Sequence, residues 1–463
     1  MSIGKLMVFG THVIDQTRSN DLYKTRRKEL VGRIKEQFPE KKDGVVVIFA
    51  GFEQPGRRFV QDSSFFYLSG INEPGVVLAI DMDGFSTLYV PAFAQGSRCQ
   101  WTGVELTDSE GPLFDHIDEI KELGRVEKGI TLCGYPIEDE YKGLLELISQ
   151  QIKKDGFIFT LCPRNSNSYC WQRLVLERIK TLKSELGNVL FDVSSIVEQM
   201  RRRKDLFEIE QIYKAAEVTI LAHEAAAQAI APDVNEREVR ASLEYIITGS
   251  FSEKAFPTIV ASGKNSTVLH YSENNLLMKS GGLVVVDAGA EFNHYCADIT
   301  RTYPVSGCFT DRQRKIYEIV LDTQDYIAAI AKPGYWLCNN ECPEKSLNHL
   351  AKEFIQDKGF GDNIVHGIGH FLGLDVHDVG DVNKPLQEND VITIEPGIYI
   401  PEEGIGIRIE DDYWIAKDGA ICISDGLPKK PDEVQLLVRQ NFSEDEEMCR
   451  QVDYGFLEDE TDA

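Results

Sequence analysis

Three histidines, His366, His370 and His377, fall within twelve residues of the chain, with Gly367, Gly369 and Gly373 between them. Imidazole is the commonest side-chain ligand for transition metals and an acid or base near neutral pH. Glycine lets a backbone approach a bound group closely. The helical zinc-protease pattern requires Glu directly after the first histidine; Gly367 follows His366, which does not support that class. Carboxylates stand at the ends of apolar runs elsewhere. Leu283-Val284-Val285-Val286 delivers Asp287, and Asp298 follows eleven positions later in Ala297-Asp298-Ile299-Thr300. Val391-Ile392-Thr393-Ile394 delivers Glu395, and Ile405-Gly406-Ile407-Arg408-Ile409 delivers Glu410.

Two adjacent antiparallel strands joined through Glu291–His294 would set Asp287 and Asp298 side by side. Such carboxylates cannot both ionise cheaply without a cation or a shared proton, so a metal site and a proton-sharing dyad both answer the pattern. Strand alternation turns Arg408 and Glu410 one way and Ile407 and Ile409 the other. A structural Arg408–Glu410 ion pair and a functional site are equal readings of that segment, since a buried carboxylate needs a partner of some kind. Taken together, four carboxylates and one histidine suit two oxygen-preferring divalent ions. Manganese fits such a cage, whereas structural zinc sites favour cysteine.

The elements that must position these residues read as an α/β (α+β) chain. In the first half, Lys24–Phe38 has helical spacing, and Val45–Ala50, Phe65–Leu68, Val76–Ile80 and Ser86–Val90 read as strands between turn signals. The second half opens on a helical region, Asp205–Ala231, closed by Pro232. Asn235 with Glu238 is a capping pair for a further helix through Ile247. Glycine-punctuated strands and helices follow. A length of 463 residues predicts two domains. The pattern divides at 1–195 and 196–440, with an acidic tail over 441–463. The basic run Arg201-Arg202-Arg203-Lys204 at the junction reads as a solvated helix entrance.

The net charge of −26 argues against a nucleic-acid partner, whose phosphates would be repelled. Part of it is the tail, where Ser443–Ala463 carries nine acidic residues against Arg450 alone, read as a solvated end. No run approaches the roughly 18 to 20 apolar residues of a membrane helix, and the first residues lack a secretory pattern. The ten scattered cysteines read as reduced thiols. A cytoplasmic protein without a membrane partner is expected.

The motifs VVVDAG, ADITRTYPVSG, HGIGHFLGLDVHDVG, TIEPGIYI and GIGIRIEDD, in this order, make the chain similar to the pita-bread metallopeptidases. Within them it resembles the Xaa-Pro aminopeptidases (aminopeptidase P) and prolidases. Phe256–Asn265 leading to His270-Tyr271, and Arg203–Glu210 at the start of the catalytic domain, carry the same resemblance. In the first half Asp62–Gly70, Asn72-Glu73-Pro74 and Gln100-Trp101-Thr102-Gly103 do so. The likeness spans roughly residues 20 to 440.

The resemblance implies a creatinase/aminopeptidase P-like α/β domain followed by a pita-bread catalytic domain. It implies that Asp287 binds one metal, His370 with Glu395 the other, and that Asp298 and Glu410 bridge them. Manganese is the first expectation, with cobalt or zinc as substitutes. Two such ions activate a water and polarise a peptide carbonyl. Glu395 would move the proton to the leaving nitrogen, and His270 and His377 would contact the substrate and its oxyanion. Arg408 would orient Asp298, Glu410 or the substrate; His366 would line the site or support it from behind, with Tyr399 a lesser polar candidate. Trp101 is either part of a neighbouring subunit's pocket or a core residue. The implied substrates are proline-containing peptides, and the implied assembly is a homo-oligomer, dimer or tetramer. Xaa-Pro dipeptidase is the alternative activity, and a catalytically inactive pita-bread binding protein the alternative of another class. Methionine aminopeptidases lack the long first half, and creatinase-like proteins would have lost ligands that are all present here.

Overall fold

The structure is a computed structural model that describes residues 16–54, 56–94, 115–127, 137–162 and 170–439. Trp101 and the acidic tail lie outside these residues. The chain divides into two compact units, Met1–Arg201 and Arg202–Ala463, each with its own core.

In the first unit, helix α1 (Gln16–Gln37) precedes strand β1 (Gly44–Phe49), helix α2 (Ser63–Ser69), and strands β2 (Val77–Asp81), β3 (Ser86–Phe93) and β4 (Glu119–Val126). Helix α3 (Lys142–Lys153), strand β5 (Phe157–Thr160), helix α4 (Cys170–Leu182), strand β6 (Leu190–Asp192) and helix α5 (Ser194–Arg202) follow. One mixed sheet results, in the order β4-β3-β2-β1-β5-β6. Phe65–Leu68, expected as a strand, is the middle of α2. The Asp62 side chain accepts the Phe65 N–H and Gly70 closes the helix at φ 65°, so end caps outweigh an apolar stretch too short to show a period.

The second unit begins with two capped helices. Asp205 and Glu208 form a capping box on α6 (Leu206–Ala229), and Asn235 and Glu238 form one on α7 (Glu236–Gly249). Short strand β7 (Glu253–Lys254) and strand β8 (Ile259–Ser262) lead to β9 (Leu283–Ala288), β10 (Ala290–Phe292), β11 (Tyr295–Cys296) and β12 (Ile299–Pro304). Helices α8 (Asp311–Ile330) and α9 (Leu347–Asp357) precede strands β13 (Val391–Ile394), β14 (Gly397–Ile400), β15 (Ile405–Arg408), β16 (Asp411–Ala416) and β17 (Gly419–Cys422), and helix α10 (Pro431–Arg439) ends the described chain.

Antiparallel pairing gives the sheets β12-β9-β8, β11-β10-β7, β13-β16-β17 and the pair β14-β15. Strand alternation then sorts the residues. Val284, Val286 and Ala288 of β9, with Ile405, Ile407 and Ile409, join Ala222, Leu243, Ile316, Val320 and Val434 of the helices in one core. Asp287, Arg408 and Glu410 are turned to the other face. Ile392 and Ile394 enter a second core with Ile327, Leu347 and Phe371, leaving Thr393 and Glu395 on the opposite side.

The basic run is not a solvated entrance. Arg203 is exposed, but Arg201, Arg202 and Lys204 are buried. Arg202 Nε and Nη2 bind the two Asp390 oxygens at 2.9 and 2.6 Å, and Lys204 Nζ meets Asp378 Oδ2 at 2.8 Å. The acids that bury these cations lie over 170 positions away, which local charge patterning does not show. Methionine in place of Lys204 keeps the packing but leaves the Asp378 carboxylate without its ammonium. That change costs about 3–5 kcal/mol of stability, measured as a lower urea midpoint with an unchanged slope.

The cysteines also depart from expectation. Among the described residues Cys162, Cys296, Cys338, Cys342 and Cys422 are free thiols, but Cys308 is disulfide-bonded.

Candidate active site

Asp287 and Asp298 come together by a route other than a plain hairpin. Strand β9 pairs with β12 in a register that opposes Asp287 to Thr300 and Ala288 to Ile299, so Asp298 sits one step before the ladder begins. Between them the chain turns through Asn293 and His294, both at positive φ (49° and 69°), and the β10–β11 hairpin projects. Gly289 allows this departure: a Cβ there would lie 1.8 Å from the Ala297 carbonyl oxygen.

His370 is held by backbone. Its N–H donates to Thr393 Oγ1 at 3.1 Å, and Thr393 N–H donates to the His370 carbonyl at 2.9 Å. Its ring Nδ1 lies 3.0 Å from the Phe371 carbonyl and donates to it, which leaves the Nε2 lone pair pointing into the site. Nε2 is 3.4 Å from Asp298 Oδ2 and 3.6 Å from Glu395 Oε1. Burial, then the adjacent His377 ring 4.2 Å away, pushes the His370 imidazole down to about 4, so the ring is neutral.

The carboxylates lack enough compensating charge. Asp287, Asp298 and Glu410 are 7%, 6% and 2% exposed. Burial first, then repulsion from Glu410, Asp287, Asp412 and Glu395, raises the Asp298 carboxyl well above its usual range. Glu410 is raised by burial and by Glu395 and Asp287. Burial, with repulsion from Asp287, pushes Glu395 up to about 7 against the pull of Arg408. Ligand atoms of Asp298, His370 and Glu410 lie within 4.8 Å of one another, and buried Asp287 Oδ1 and Asp298 Oδ1 have no hydrogen-bond partner. A cluster of acids with a neutral imidazole lone pair and orphaned oxygens fits divalent cations.

Arg408 binds Asp287 Oδ2 through Nη2 and lies 3.9 Å from Glu410 Oε2, so its chief acidic partner is Asp287 rather than Glu410. It also donates to Tyr399 Oη and Thr300 Oγ1, both at 3.1 Å, and Thr300 Oγ1 donates to Glu410 Oε2 at 2.6 Å. Tyr399 Oη in turn meets His366 Nε2 at 2.8 Å, and His366 Nδ1 lies 2.8 Å from the Gly367 carbonyl. Both His366 nitrogens are thus engaged, while the ring still borders the cavity. His270 and His377 have exposed rings.

All nine expected residues, Asp287, Asp298, His270, His366, His370, His377, Glu395, Arg408 and Glu410, line one cavity of about 560 Å³. The other wall is apolar, with Phe256, Pro257, Ile259, Leu269 and Val376. Sequence reading did not single out Thr300, Thr393 or Asp412. Thr300 lies two positions from Asp298 and Thr393 two from Glu395, so strand alternation already placed both on the site face. Asp412, whose Oδ2 accepts the Asp298 N–H at 3.1 Å, stood in the acidic run Glu410-Asp411-Asp412. Its neighbour Asp411 serves structure, binding the fully buried Arg301 at 2.7 Å.

Comparison with known proteins places this geometry. Metallopeptidase family M24 matches residues 210–417, and the aminopeptidase P N-terminal domain matches residues 23–133. The Xaa-Pro aminopeptidase of Escherichia coli is 30% identical over 415 residues, covering 82% of this chain and 88% of that protein. The chain belongs to metallopeptidase family M24. Within M24, the Xaa-Pro dipeptidase of Pyrococcus furiosus is 42% identical, but over 233 residues, 49% of this chain and 64% of its own length. A zinc-substituted E. coli aminopeptidase P in complex with product superposes with a TM-score of 0.75 at 27% identity, over 92% of this chain and 99% of that one. The family match and the fold agree: the chain is a metal-dependent hydrolase with an aminopeptidase P-type first domain joined to an M24 catalytic domain.

Proposed function

We propose that the chain is an Xaa-Pro aminopeptidase, releasing the first residue of peptides whose second residue is proline. The crowding of Asp298, Glu395 and Glu410 around the His370 lone pair, with Asp287 in the same cavity and buried oxygens left unpartnered, carries the metal chemistry. The aminopeptidase P-type first domain carries the choice of substrate. Asp287 would hold one divalent ion, His370 and Glu395 the other, with Asp298 and Glu410 between them. When bound, the pair would supply an activated water and a polarised scissile carbonyl.

The chain's own residues do the rest. Glu395, in the same cavity, is placed to hold and return the proton that the leaving proline nitrogen needs. Arg408 fixes Asp287 and, through Thr300, Glu410. His270 and His377 face the cavity, placed to donate to the substrate and its oxyanion. The apolar wall from Phe256 to Leu269, with Val376, receives side chain or pyrrolidine ring and sheds its water.

Manganese is the first-choice ion for a set of four carboxylates and one imidazole, with cobalt or zinc as substitutes. A cytoplasmic enzyme assembled as a dimer or tetramer completes the proposal. Among the described residues no helix is long and apolar enough to cross a membrane, and five thiols are free. The Cys308 bridge is the bond a reducing compartment would open.

Comparison of Xaa-Pro with Xaa-Pro-Yaa peptides under manganese tests the activity. Release of the first residue from the tripeptide is expected. Hydrolysis confined to dipeptides would establish a dipeptidase instead. No proline-dependent cleavage with manganese, cobalt or zinc would leave a binding protein.

A further inference from the structure

We infer that Glu236 is a positioning residue for His270, tying both ends of the loop that carries this histidine to one buried carboxylate. The inference rests on the proposed role of His270 toward the substrate. Glu236 is the first residue of α7 and is fully buried. Its Oε1 accepts from Ser262 N–H and Ser262 Oγ–H, both at 2.7 Å, at the end of β8. Its Oε2 accepts from the Leu276 N–H at 2.9 Å and the Tyr271 hydroxyl at 3.0 Å. The segment between Ser262 and Leu276 is the His270 loop.

The closure is reinforced from inside. Asn274 is left-handed at φ 46° and 1% exposed; its Oδ1 accepts the Val260 N–H at 2.6 Å, and its Nδ2 donates to the Thr258 carbonyl at 3.0 Å. On the other side the loop backbone packs against β15, where a Cβ on Gly406 would lie 2.0 Å from the Ser266 carbonyl oxygen. The loop is held at its two ends and its flank, while His270 stands exposed on the cavity wall. Four donors converge on two carboxylate oxygens. A glutamine there offers one acceptor and turns an NH₂ against donors that need an oxygen, so one end of the loop must open.

The test is a double-mutant cycle on the manganese-loaded enzyme, with Ala-Pro-Ala hydrolysis, manganese content and the urea midpoint read for each form. Glu236→Gln and His270→Ala are each expected to lower kcat/KM by about tenfold or more. The double variant is expected to match His270→Ala within about threefold, because the loop then has nothing left to position. Manganese content stays at the wild-type value throughout. An equal factor for Glu236→Gln with and without His270 overturns the inference, since Glu236 would then act through the fold alone. A silent His270→Ala overturns it too, and is distinguished by locating the fault in the proposed role of His270. If Glu236→Gln does not fold, Tyr271→Phe removes one of the four hydrogen bonds to Glu236, with the hydroxyl's contacts to Asn275 in the same loop, and enters the same cycle with the same outcomes.

Discussion

Asparagine at position 298 is expected to lower kcat/KM for Xaa-Pro-Yaa peptides by about 10³-fold or more, while the metal-free protein becomes no less stable. The two halves of this result have one cause. Asp298 is crowded by Glu410, Asp287, Asp412 and Glu395, and in the absence of a cation its carboxylate form is penalised by burial and by all four. A neutral amide of the same shape removes that repulsion, so stability holds or rises. The same charge is what a pair of divalent ions requires between them. Its loss forfeits several kcal/mol of transition-state charge stabilisation, about three orders of magnitude in rate. Metal content per chain, measured on the purified variant, falls below that of the wild type. Wild-type turnover by Asp298→Asn would remove the site from Asp298, and a large fall in the metal-free urea midpoint would mean that the residue holds the fold instead.

The stability that manganese adds to the protein is expected to grow as pH rises from about 4.5 to 7. Burial and Asp287 lift Glu395 from 4.5 in the free side chain to about 7 in the folded site. Asp298 and Glu410 are lifted as well. Over that interval these carboxyls bind more protons in the folded state than in the unfolded chain, so their contribution to the free energy of unfolding falls with rising pH. The stabilisation is fully present below the unfolded pKa and is lost as pH passes through the folded one. For Glu395 alone the difference is on the order of 3 kcal/mol. A divalent cation replaces the protons, and its benefit therefore grows with pH. Thermal melts with chelator and with saturating manganese check this: the gain in Tm is larger at pH 7.5 than at pH 5. Equal gains at both pH values, or a larger one at pH 5, would contradict the crowded-carboxylate account.

Much of this site was legible in the chain because its residues end apolar strands. A run such as Leu283–Val286 must be buried, and a carboxylate delivered at its end must find compensation, which local sequence alone reveals. Alternation placed Arg408 and Glu410 on one face, and did so for the Thr300 and Thr393 positions that were passed over. The helix at Asn235 was visible because capping is local chemistry, and the one from Asp205 because its helix-forming residues run unbroken to Pro232. What escaped was set at a distance. The burial of Arg202 and Lys204 depends on Asp390 and Asp378, and the choice of Asp287 over Glu410 by Arg408 on how two sheets meet. Phe65–Leu68 failed for the opposite reason: Asp62 and Gly70, immediate neighbours, outvoted four apolar residues that any element could bury.

The alternation in β9 and β15 has a consequence for how such a chain can change. Val284, Val286, Ile407 and Ile409 face the helices, while Asp287, Arg408 and Glu410, interleaved with them, face the cavity. Folding and chemistry are written on the same strands in alternate letters. The helix-side letters tolerate exchange among aliphatic residues of similar volume at small cost, whereas the cavity-side letters have no synonyms. A lineage can therefore rewrite every second residue of its core strands and still spell the same reaction, and an engineer seeking a sturdier enzyme has that half of the text to edit.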